Sequence, residues 1–349
     1  MPRNMDLINF LTLGIPRRYQ LGKLARLFAH ARHSVSGGRR MQGIIEYDEC
    51  LDIARALERW DLVRYLRMML AGLYVEQHDH TKARLHYTEA VNVARSLKDL
   101  PSLAHARCAL ASVVGMMGDY TLAERLCEEA HEFFHTSDDS IGLASVCMVR
   151  ADMAQTTTDA RKHYSDALAL YEKAQSRIGV LGALLSLGHL AEPGRDNTNE
   201  RLSLTRCLTM CDEEHDVRTQ AYALNNLANI DRFDGNLHSA ATRYNQSLKL
   251  KQQLDDEWAI SYTLDGCANL AACWGEVQKA AQLYGAADAI RMRLGTPLER
   301  SRLSLYSEEV NATRRSLGEE PFEIWWRVGT QMSVDDAVEL ALGLVGPGE

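Results

Sequence analysis

A frame of small and aromatic residues returns along most of this chain at steps close to 40 residues. The turn Gly118-Asp119-Tyr120 is followed by Ala123, then Cys127, then Ala130. The frame recurs as Gly235-Asn236-Leu237 with Ala240, Tyr244 and Ser247, and as Gly275-Glu276-Val277 with Ala280, Tyr284 and Ala287. Upstream, His78-Asp79-His80 leads to Ala83, Tyr87 and Ala90, while Ala160, Tyr164 and Ala167 fit without the glycine. Ahead of the turns stand Leu70-Ala71, Leu110-Ala111, Leu227-Ala228 and Cys267-Ala268. Between 160 and 240 a unit shows in Leu187-Gly188 and a helix over 200–211, in weak register. Self-similarity at such a period marks stacked supersecondary units rather than the compact domains that length alone suggests.

Each unit reads as a helix, a turn with a permissive glycine, and a second helix. The alanine opening the second helix lets two axes approach closely, and the ring four residues on fills space toward the next pair. Composition agrees. Ala, Leu, Arg and Glu dominate and the 349 residues include 7 prolines, which favours helix and excludes collagen-like, disulfide-rich or all-β chains. This frame resembles the tetratricopeptide repeat in a long-period variety. The resemblance implies an all-α, right-handed α-solenoid of about six helix pairs over residues 20–293. An N-terminal half-formed unit is suggested by Leu21, Leu24, Phe28 and Ala31, then Gly37-Gly38, then Tyr47, Cys50 and Leu51; residues 1–19 are left unassigned.

The last repeat opens a second similarity. Ala280 through Ala287 lead to Ile290-Arg291, Gly295-Thr296-Pro297-Leu298, Tyr306, Leu317-Gly318-Glu319, Trp325-Trp326, Gly329 and Met332-Ser333-Val334. This resembles the C-terminal tetratricopeptide region of bacterial ATPase-type transcriptional regulators, LuxR-like members included, in which such repeats form the sensor or partner-docking arm. ATPase activity and DNA binding do not carry over, because neither a G-x-x-x-x-G-K-[ST] phosphate loop nor a helix-turn-helix pattern is present. Residues 294–349 read as capping helices. Pro297 suits a first turn, Gly318 ends one helix, and Ser333 caps the last with Asp335 and Asp336 in its first turn.

The net charge of −8 is uneven: residues 1–40 carry +7 and the remainder −15. An acidic body disfavours general nucleic-acid binding, while the basic end offers a contact for an anionic partner or a solvated helix face. No stretch is apolar enough to span a membrane, and Leu7–Leu13 lacks the basic flank of a secretory signal. Eight cysteines scattered along helical patterns point to reduced thiols and a cytoplasmic setting.

The sharpest catalytic pattern is His131-Glu132-Phe133-Phe134-His135, an H-E-x-x-H string that would make a zinc hydrolase with Glu132 as base. It closes the second helix of a repeat, without the extended third-ligand pattern, so packing and surface roles are expected for His131, Glu132 and His135. Cys207 and Cys211 lack a second ligand pair and are expected to be buried thiols; His78-Asp79-His80 is expected to be a solvated turn. No cofactor and no catalytic residue are expected.

In stacked helix pairs the first helices line the concave face. Residues flanking the Leu-Ala signature there are Asn225, Asn226, Asn229 and Arg232, then Tyr262, Asp265 and Asn269, with Ser186 and His189 earlier. Asparagine is a mediocre helix former, so the cluster asks for a reason. An amide that donates and accepts suits an extended peptide backbone, and the string resembles groove-lining helices of peptide-binding tetratricopeptide proteins. The expected function is a non-catalytic module binding a protein or peptide in this groove, a sensor or scaffold in bacterial signalling or transcriptional control. Alternatives are the zinc hydrolase and an assembly scaffold using the basic N-terminus.

Overall fold

The computed structural model describes residues 17–36, 39–296, 298 and 300–346; the expectations for residues 1–16, Gly37-Gly38 and Pro297 lie outside them. The described residues form seventeen helices and no strand. They fall into two compact units, one ending at Ser176 and the other beginning at Arg177.

The first unit holds four helix pairs: α1 (Arg17–Ser36) with α2 (Arg40–Ala56), α3 (Trp60–Glu76) with α4 (His80–Leu97), α5 (Leu100–Met116) with α6 (Tyr120–Thr136), and α7 (Ser140–Asp152) with α8 (Thr157–Lys173). The half-formed N-terminal repeat is thus a complete pair, its two helices joined by an edge-on contact of Phe28 and Tyr47 at 5.6 Å. Asp79, Asp99, Asp119 and Asp139 cap four successive helices, each side chain accepting an N–H of the first turn. The His78 turn replaces glycine by a histidine in the left-handed region (φ 58°), whereas Gly118 occupies that region at its own turn (φ 88°). Ala83, Ala123 and Ala130 are fully buried, as the close crossing of helices requires.

Within α3 and α4 the Arg67 guanidinium donates to His86 Nδ1 at 3.0 Å and also pairs with Glu89. Burial first, then the positive charge of Arg67, push the His86 pKa down from 6.5 to about 4. The unfolded chain takes up a proton here that the folded chain refuses. This contribution is therefore complete above pH 6.5 and is lost as pH falls toward 4. It amounts to about 3 kcal/mol. The melting temperature should decline across that window, and His86→Asn should flatten the decline; an unchanged slope would contradict it.

The second unit holds α9 (Arg177–His189) with α10 (Thr198–Glu214), α11 (Val217–Phe233) with α12 (Leu237–Gln253), and α13 (Glu257–Cys273) with α14 (Val277–Leu294). Then come α15 (Arg300–Leu317), α16 (Glu319–Thr330) and α17 (Val334–Leu342). The weak register between 160 and 240 has a local cause. Glu200, buried, stands where Ala240 stands one period later, and Leu204 stands where Tyr244 does. Leu204 packs so closely on Gly188 that a Cβ there would lie 2.2 Å from its Cγ. The C-terminal helices pack into the core of this unit through Val310, Phe322, Ala337, Val338 and Ala341. Ser333 caps α17 in a reciprocal box with Asp336.

Candidate functional site

The residues expected to line a groove lie on α11 and α13. Their shared surface is a chain of polar contacts. Tyr244, fully buried on α12, donates its hydroxyl to Asn229 Oδ1 at 2.6 Å. One 40-residue period later Tyr284, fully buried on α14, donates to Asn269 Oδ1 at 2.7 Å. Burial pushes the Tyr244 hydroxyl pKa up to about 12 and that of Tyr284 well above its usual range. A phenol buried this deeply needs an acceptor, and the asparagine of its own pair provides it.

Asn225 is buried and accepts from the Thr263 hydroxyl at 2.8 Å, which in turn accepts from Lys251 Nζ at 2.6 Å. Lys251 is 1% exposed and sits 5.1 Å from the Tyr222 ring centre. Asp265, also buried, accepts from Arg291 Nη1 at 2.8 Å, joining α13 to α14. Tyr262 is buried beside Trp258, ring centres 4.6 Å apart. Arg232 donates to Glu309 of α15 at 3.0 Å, and Asn269 donates to the other oxygen of the same carboxylate at 2.8 Å.

Asn225, Asp265 and Asn269 thus make their hydrogen bonds inside the unit, and Asn229 shares its oxygen with Tyr244. Asn226 differs. It is half-buried, and its partner among the described residues is Asn225, at a long 3.5 Å. The tyrosine–asparagine pairing was legible in principle. Where the ring position carries a hydroxyl in the last two pairs, an asparagine stands 15 residues earlier; where it is Cys127 or Leu204, none does. Ser186 is half-buried and His189 exposed on α9.

Elsewhere the helix geometry decides. In α6, His131 and His135 stack one turn apart with ring centres 6.0 Å apart, and Glu132 is exposed. Among the described residues no three His, Cys, Asp or Glu side chains gather as metal ligands. The register of the motif follows Phe134, fully buried against Gly142. Cys207 and Cys211 are buried, and burial followed by the neighbouring Cys211 pushes the Cys207 thiol up to about 12. Of the basic N-terminal residues, Lys23, Arg26 and Arg32 are exposed on α1.

Stacked helix pairs joined by tight turns define a solenoid repeat protein. Residues 63–136, which span α3 to α6, match the family model described as tetratricopeptide repeat. No curated protein matches the chain. No helix among the described residues is long and apolar enough to cross a membrane. Tetratricopeptide repeats of this kind form protein-interaction modules in general.

Proposed function

We propose that the chain is a non-catalytic module that holds a protein or peptide segment against the inner faces of its first helices, within bacterial signalling or transcriptional control in the cytoplasm. The observation that carries this reading is the regular succession of helix pairs, matched by the repeat family over α3–α6. Asn226 supports it locally. A half-buried amide with one long internal contact keeps donor and acceptor capacity for a bound backbone. The likeness of the C-terminal residues to regulator sensor arms supports the signalling context, and the eight cysteines, all free thiols, suit a reducing compartment.

The test is a photo-crosslinking amino acid placed at position 226 and, separately, at Leu202, which is 63% exposed on α10. A discrete adduct from position 226 in the native cell, with none from 202, supports the reading. Equal adducts from both positions, or none from 226, would contradict it.

A further inference from the structure

α15 lies on the inner face just described, and one side of it makes the contact. Glu309 places one carboxylate oxygen on Arg232 and the other on Asn269, reaching two consecutive first helices at once. Tyr306, three residues earlier, accepts from Arg291 Nη2 at 3.2 Å and sets its ring edge-on to Tyr284 at 5.7 Å. Val310 is buried beside them. The other side of the helix faces solvent, with Glu308, Ala312 and Arg315 exposed.

Arg232 shows what this surface is built to receive. Its side chain is 12% exposed, its Nε is buried with no acceptor, and its one ion pair among the described residues is with Glu309, 77 residues away. Enclosing a guanidinium is costly unless a carboxylate meets it, and neither α11 nor its partner α12 supplies one to Arg232. Asn269 adds a second donor aimed at the same acceptor. A guanidinium and an amide converging on two oxygens is a receptor for a carboxylate.

We propose that Arg232 and Asn269 form a binding site for the carboxylate of a partner helix, and that α15 occupies it in cis through Tyr306, Glu309 and Val310. The matching partner presents an aromatic residue, a carboxylate three residues on, and an aliphatic residue next to it. This rests on the reading that the inner face binds protein and names the chemistry it selects. Exchange is like for like. A partner carboxylate restores the bonds that Glu309 gives up, so the balance between the two occupants is set by their remaining contacts.

The probe is a labelled synthetic peptide with the sequence of residues 300–317, titrated against the full chain by fluorescence anisotropy. Glu309→Gln keeps the shape of α15 and removes its charge. That chain should bind the peptide about ten-fold more tightly than the wild type, because the resident competitor is weakened. A peptide carrying Glu309→Gln should lose that gain, and adding Arg232→Met to the chain should abolish it. Amide exchange in α15 should quicken about ten-fold in the Glu309→Gln chain while α11–α14 stay protected. Equal affinity of both chains, or of both peptides, would overturn the proposal. So would faster exchange throughout α11–α14, which would make Glu309 a residue that holds the fold. Crosslinking from position 226 is read independently, so failure here is distinguishable from failure of the general reading.

Discussion

Gly329→Ala is expected to destabilise the second unit by about 3 kcal/mol or more, because the methyl has nowhere to go. A Cβ at Gly329 would lie 1.9 Å from the Gln282 carbonyl oxygen and 2.7 Å from its carbon. Reciprocally, a Cβ at Gly285 would lie 2.2 Å from the Trp326 carbonyl oxygen. α14 and α16 therefore cross backbone on backbone, and no rotamer change relieves the clash. The helices must move apart, loosening Phe322, which is fully buried in the same core. Gly182→Ala is the control. It lies inside α9 with nothing within 4 Å of its would-be Cβ, so alanine should stabilise by up to ~1 kcal/mol. Urea unfolding followed by tryptophan fluorescence reads both; four of the five tryptophans lie in this unit. A neutral Gly329→Ala would mean that α14 and α16 do not touch as described.

Asp265→Ala should cost about 3 kcal/mol, since it leaves the buried Arg291 with the partly exposed Asp288, at 4.0 Å, as its remaining counter-charge. Arg291 is 2% exposed, and its Nη1 reaches Asp265 at 2.8 Å. Tyr306 supplies an oxygen to the other nitrogen and a ring face 5.2 Å away, but no negative charge. The sequence placed Asp265 in a ligand groove, where its loss would weaken binding and leave the fold intact. The structure places it in an ion pair between α13 and α14, where its loss weakens the fold. Denaturant midpoints of Asp265→Ala and Asn226→Ala decide between these roles. A large fall for the first and a change within ~0.5 kcal/mol for the second is the expected pattern. Equal, small changes would return Asp265 to the groove.

The helix pairs were legible because their period is written in small residues that packing forces to stay small. Ala83, Ala123, Ala240 and Ala280 are fully buried where two helices cross. The pair α9–α10 was faint because Glu200 and Leu204 take the alanine and ring positions. The candidate site was legible only as a face. The asparagines stand on first helices, as expected, but which way an amide spends its hydrogen bonds depends on residues one or two helices away. Asn229 and Asn269 answer to Tyr244 and Tyr284, and Arg232 answers to Glu309, at separations that local spacing does not encode. The H-E-x-x-H string shows the converse. Helical spacing alone put two imidazoles on one face, and burial of Phe134 accounts for the register.

On the inner face of the second unit Asn225, Asn229 and Asn269 already spend their amides on neighbouring side chains, and Asn226, with one long contact, is the amide most open to a bound backbone. The most direct measurement is retention of the crosslink-identified partner by purified Asn226→Ala chain, with the melting temperature taken on the same sample. Losing an amide that pairs with a desolvated backbone group costs ~1–3 kcal/mol, so retention should fall about ten-fold or more. The melting temperature should stay within about 1 °C of the wild type, as expected for a side chain that contributes little packing. Full retention of the partner by the Asn226→Ala chain would contradict the account.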